Sequence, residues 1–199
     1  MRSLSPLLGK LNPLSHMVRD QKPKDNRAGQ FVAVIECILN QNARDSGAAI
    51  FAGLNGRVVS LCEKYDVGIL QMPCPEIAFL GFKRERPTEK SIRNVLDTIE
   101  GRQACRKISV AMIQRIESYI LQGYRFLAIL GGNPESPGCA VHNGDEGLLS
   151  ISGVFMLALE EEFGKSHLKA PFRGIRDYDA SLLEKDLRWL ETVFSAVKT

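Results

Sequence analysis

A chain of 199 residues, 44% hydrophobic and 25% charged, is long enough for one sizeable domain with a full core and is ordinary in composition for a globular protein. No run of eighteen apolar residues occurs, and Leu4-Ser-Pro-Leu-Leu-Gly is too short and broken for a signal core, so neither a transmembrane helix nor a secretory signal is expected. A formal charge of +3 permits an anionic partner without arguing for one, and five cysteines without close pairs fit a reducing cytoplasm better than a disulfide framework.

Residues 1–30 carry Arg2, Lys10, Arg19, Lys22, Lys24 and Arg27 among Leu, Pro and Ser, and read as an extended basic arm. Residues 31–199 form the folded unit. Phe31 to Cys37 is a β-branched apolar run, a buried strand. Asp45-Ser-Gly opens a helix over 48–64, with Ile50, Phe51, Leu54, Val58, Leu61 and Cys62 at helical spacing. Val67 to Met72 is the second strand. Pro73, Pro75 and Lys83-Arg-Glu-Arg-Pro87 mark a long loop of the kind that carries function. Ser91 to Gln122 is helical, broken near Gly101, and Gly123 ends it. Arg125 to Leu130 is the third strand, followed by an irregular Pro- and Gly-rich segment. A helix over 152–164, a strand over 170–176 and an amphipathic helix over 181–197 complete the chain. This alternation predicts a single α/β domain, a Rossmann-like open and mainly parallel sheet flanked by helices.

Cys37, Cys74 and Cys139 each lie where a strand breaks into a loop. Ligand sites in open parallel sheets lie beyond the carboxyl ends of the strands. Three thiols delivered there can hold one metal centre and leave a coordination position open. No C-x-x-C occurs, so neither a zinc ribbon nor a ferredoxin run is present. Buried cysteine also serves as a small hydrophobe, and Cys62 and Cys105, on apolar helix faces, are assigned to the core.

Cys37-Ile-Leu-Asn-Gln-Asn-Ala-Arg44-Asp-Ser-Gly47 resembles the opening motif of the thiouracil desulfurase family, Cys-Leu-Leu-Gly, three variable residues, then Arg-Tyr-Asp-Gly. Cys74-Pro-Glu76 is similar to its Cys-Pro-Glu, with a basic, proline-containing stretch at Arg84 to Pro87. Ser136-Pro-Gly-Cys139 resembles its Ser-Pro-Ser-Cys. The three motifs stand in order within residues 31–176. The resemblance implies a 4Fe–4S cluster held by Cys37, Cys74 and Cys139, with one iron free of protein ligands. The implied activity is non-redox desulfuration of a small thiocarbonyl compound such as a thiolated pyrimidine. Water attacks the thiocarbonyl carbon, and the sulfur leaves as hydrosulfide. Ser136 and Glu76 are the implied catalytic residues, and either can instead cap a turn or helix. Arg44 is assigned to substrate, or else to a structural pair with a carboxylate; Asn40 is assigned to substrate binding.

The chain also departs from the pattern. Asn40 replaces a glycine, Asp45 comes one place early, Gly138 replaces the second serine, and Gln71 stands where an acid is expected. Glu36 or Glu135 can substitute for that acid. These differences imply a divergent branch with its own pocket. His142 lies close to Cys139, within reach of a cluster or as an ordinary loop histidine. Lys83, Arg84, Arg86, Lys90 and Arg93 are a solvated face, or else a contact for a nucleotide phosphate or an RNA backbone. Trp189 is packing, and Glu160-Glu-Glu162 is a solvated helix face. Two other classes stay open: a protein that binds a cluster, zinc or sulfide at the same cysteines without catalysis, and a metal-free α/β nucleotide-binding domain with core cysteines.

Overall fold

The computed structural model describes residues 25–196. Residues 1–24, most of the predicted basic arm, and residues 197–199 lie outside them. Arg27, at the arm's described end, pairs with Asp25 and donates to the Tyr124 hydroxyl.

Four parallel strands form the sheet, in the order β2-β1-β3-β4: β1 (Gln30–Ile35), β2 (Gly68–Met72), β3 (Arg125–Gly131) and β4 (Phe172–Gly174). The central strand β1 is covered on both faces, with Val32 to Ile35 wholly buried, as a β-branched run in a parallel sheet requires. Around the sheet lie α1 (Glu36–Leu39), α2 (Gly56–Lys64), α3 (Pro75–Leu80), α4 (Ile92–Leu96), α5 (Ile99–Leu121), α6 (Val154–Lys165) and α7 (Ala180–Ser195). Right-handed crossovers dictate the layering. The chain steps one way from β1 to β2 and the other way from β2 through β3 to β4. The helices of the two directions therefore belong to opposite faces, and α2 packs with α7 while α5 packs with α6. The expected α/β single domain with a parallel sheet is the fold observed.

Several boundaries differ from expectation. Cys37 does not end the strand; it sits in the single turn of α1, just past it. The helix expected over 48–64 begins only at Gly56. Gln41 holds the missing part as a loop, its side-chain oxygen accepting from the amides of Ile50 and Phe51 at 2.9 and 3.2 Å. Asn55 then caps α2 through Val58 N. The loop expected after Cys74 contains α3, which tolerates Pro75 because proline suits a first helical position. The long helix breaks at Asp97-Thr98, before Gly101, because the Thr98 hydroxyl caps α5 through Gly101 N at 3.1 Å. Strand β4 is only three residues long.

Cys62 and Cys105 are core residues, 1% and 0% exposed. Burial pushes both thiols up to about 12 from an ordinary 9.0. Unfolded thiols ionise near 9 while the native ones stay protonated, so the folded chain holds more protons above that value. Stability from these groups is complete below about pH 9 and is lost as pH rises toward 12. Urea midpoints taken from about pH 8 to 11 will fall, and the fall will flatten in a Cys62→Ala/Cys105→Ala variant compared with its own value at about pH 8. No helix among the described residues is long and apolar enough to cross a membrane.

Candidate functional site

The order of strand addition reverses between the parallel neighbours β1 and β3, so the segments leaving them diverge to opposite faces and open a crevice. A cavity of about 380 Å³ lies there, walled by Ile35, Ala48, Ile92, Gly132, Pro137 and Tyr178. Cys37, Cys74 and Cys139, distant in sequence, all line it as well. Among the described residues no three Cys, His, Asp or Glu side chains stand together as ligands of one metal ion do.

Each thiol is held up by its surroundings. Burial pushes Cys37 to about 11, with the Arg44 guanidinium opposing and Cys74 adding. Burial raises Cys74 too, against the opposing pull of the Ile77 and Glu76 amides in the first turn of α3. Cys139, buried, is raised well above its ordinary value by burial and then by Cys37. All three are therefore neutral thiols near neutral pH without a bound cation, and ionising them together needs positive charge in the cavity.

The cysteine segments lean on one another through glycines. A Cβ on Gly132 would stand 2.7 Å from Cys139 Sγ, and one on Gly138 would stand 2.6 Å from the Pro75 ring. Only a residue without a side chain lets the Cys139 loop seat against the Cys74 turn. Gly138 is thus required by packing in this chain.

Ser136 Oγ lies 3.1 Å from Cys139 Sγ and accepts from Cys139 N at 3.3 Å, so the hydroxyl both faces the cavity and fastens its own turn. Glu76 is buried and ion-paired with Arg84 at 2.7 Å. Arg44 lines the cavity and pairs with Asp177 at 2.6 Å, the carboxylate alternative expected for it, here supplied by a residue distant in sequence. Asn40 is not brought in: it is exposed and caps the following 3-10 turn through Asn42 N. Gln71 is exposed on the edge strand β2, away from the cavity. Of its two expected substitutes, Glu135 lines the cavity, while Glu36 accepts from Cys74 N at 2.8 Å and anchors that turn. His142 turns its Nε2 to Pro134 O at 2.8 Å and so ties the loop after β3 to itself.

The basic run is not one solvated face. Arg84 is 3% exposed, in left-handed backbone, donating to Glu76, Phe82 O and Ala43 O, with Nη2 4.0 Å from Cys74 Sγ. Arg93 donates to Ser150 O and Ser152 O and pairs with Asp97, and Arg86 donates to Arg84 O and Lys90 O. Glu160 likewise has a task, accepting from Leu148 N at 2.8 Å. Trp189 packs against the core with the Arg173 guanidinium over its ring.

Asp177, Gln41 and Asn133 are residues that sequence reasoning misses. Asp177 Oδ1 accepts from Asn133 Nδ2, and Asp177 N donates to Asn133 Oδ1, both at 3.0 Å. The segment after β4 is thereby clamped to the loop after β3. The local signal is Asn133 in Gly-Gly-Asn-Pro, a turn composition that names no partner. A second hollow, about 410 Å³, lies between α2 and α7 among the ion pairs Arg57–Glu184 and Lys64–Glu191, and its lining has no cysteine.

No known protein-family model matches the chain, and no solved structure matches it. An uncharacterised protein of the archaeon Methanocaldococcus jannaschii, MJ0003, is 34% identical over 102 residues, covering 51% of this chain. The matched part spans 63% of that protein's length.

Proposed function

We propose that the protein is an iron–sulfur desulfidase, which removes sulfur without net electron transfer from a thiolated pyrimidine or related thiocarbonyl compound. The observation that carries the reading is the meeting of Cys37, Cys74 and Cys139 on one cavity that also presents a serine, carboxylates and guanidiniums. The donor set is soft, as iron–sulfur centres prefer. When bound, a 4Fe–4S cluster with one iron free of protein ligands supplies a Lewis acid for a thiocarbonyl sulfur.

The remaining tasks fall to this chain's residues. Arg44, fixed by Asp177 and by its bond to Ala48 O at 3.1 Å, orients a carbonyl oxygen of the substrate. Ser136 Oγ relays a proton or holds the attacking water. Glu76, fixed by Arg84, and Glu135 are the carboxylates in reach to take the water's proton and return it to the leaving side. A second reading, cluster binding without catalysis, draws on the ties that already engage Glu76 with Arg84 and Ser136 with Cys139.

The test is anaerobic reconstitution with iron and sulfide counted, beside a Cys37→Ala/Cys74→Ala/Cys139→Ala variant. Wild type will be brown with about four irons per chain, the variant near none, and only the former will release hydrosulfide from 2-thiouracil. A loaded but inactive wild type selects the binding protein. A colourless one, or iron unaffected by the substitutions, overturns both readings.

A further inference from the structure

The segment after β4 is fixed residue by residue, with one side chain in it held by no hydrogen bond. Ile175 N donates to Gly131 O at 3.1 Å, and Ile175 is wholly buried. Arg176 is held by Asp186, which accepts from its backbone at 2.9 Å and its guanidinium at 2.6 Å. Asp177 is locked to Arg44 and Asn133. Asp179 caps α7 through Ser181 N and Leu182 N. Between these anchors Tyr178 is 53% exposed and lines the cavity. Among the described residues no hydrogen bond or ring contact engages its side chain. Its backbone is pre-set by its neighbours, so placing a ring against it costs little ordering.

The cavity's charge narrows what that ring meets. Its wall carries Asp45, Glu76 and Glu135 against Arg44 and Arg84. Both guanidiniums are already paired, with Asp177 and Glu76. A phosphate entering here meets a surplus of carboxylate and two cations already engaged, whereas a neutral ring meets no such opposition.

We infer that Tyr178 is the face on which a planar, uncharged thiocarbonyl ring stacks, so that the site takes a free base or nucleoside in preference to a nucleotide. This rests on the desulfidase reading of the same cavity, and the test separates the two. Binding of 2-thiouracil to the full-length metal-free protein is measured by calorimetry for wild type, Tyr178→Phe and Tyr178→Leu. Phe keeps the stacking face and binds like wild type; Leu loses roughly tenfold to a hundredfold, the range of one base–aromatic stack. In the reconstituted enzyme, kcat/KM for 2-thiouridine will exceed that for its 5′-monophosphate, and raising the salt will narrow the gap. Equal binding by the Leu variant, or preference for the monophosphate, overturns the inference. Binding that depends on Tyr178 with no hydrosulfide from any of these probes sustains the stacking role and overturns the desulfidase reading alone.

Discussion

Replacing Asp177 by alanine will lower the unfolding free energy by about 3–5 kcal/mol, the cost of leaving one member of a buried ion pair alone. The Arg44 and Asp177 side chains are 8% and 0% exposed and meet at 2.6 Å. Without the carboxylate, Arg44 retains its bond to Ala48 O, and Asn133 Nδ2 loses its acceptor. Urea denaturation measures the loss as a fall in midpoint at unchanged slope. The decisive comparison is Arg44→Met/Asp177→Leu, which leaves no charge of the pair buried and will be more stable than Asp177→Ala. If the single substitution costs under about 1 kcal/mol, the pair behaves as a solvated surface bridge and cannot be what holds the segment after β4 in place.

Arg84→Met will be of similar size, about 3 kcal/mol or more. The substitution strands the Glu76 carboxylate, whose side chain is 10% exposed, and removes the donors that Ala43 O and Phe82 O now have. Because Arg84 ties the turn after Cys37 to the turn after Cys74, iron uptake, on the proposed cluster reading, will fall along with stability. Adding Glu76→Gln to Arg84→Met removes the stranded charge and will recover part of the stability. It will not recover iron uptake, since Ala43 O still lacks its donor. A neutral Arg84→Met would mean that the side chain is solvated after all. Ala43 and Arg44 are adjacent, so the Arg84 and Asp177 substitutions share a support, and their costs will not simply add.

The strands are legible in the sequence because a β-branched run such as Val32 to Ile35 has no other stable place in a domain of this size, and each strand carries its own signal. Loops and partners carry none. Ile50 and Leu54 fall at helical spacing yet are 47% and 44% exposed, because Gln41, in the turn before them, binds the backbone that a helix would have used. The motif resemblance points to Asn40 for the site, whereas its neighbour Gln41 is the buried one; both are amides, and only the fold tells them apart. Arg84 reads as solvated because it sits among charges, yet its carboxylate is eight residues earlier and on another element. Asp177 has no sequence signal at all, since what makes it matter is Arg44 at the other end of the domain. The thiols are the opposite case: strand ends converge by topology, so thiols at three strand ends are expected to meet from the alternation of strands and helices alone.

The strand order also sets when the site comes into being. Cys37 and Cys74 leave the ribosome early, after two neighbouring strands, but Cys139 arrives only after β3, whose place is on the far side of β1. No short stretch of the nascent chain holds two of the three thiols, so an unfinished chain presents isolated cysteines rather than a chelating peptide. On the cluster reading proposed above, loading must then follow docking of β3, and it draws on the folded population alone. By mass action, every molecule loaded with such a cluster would be withdrawn from unfolding, and iron supply would then set how long the protein persists as well as whether it works.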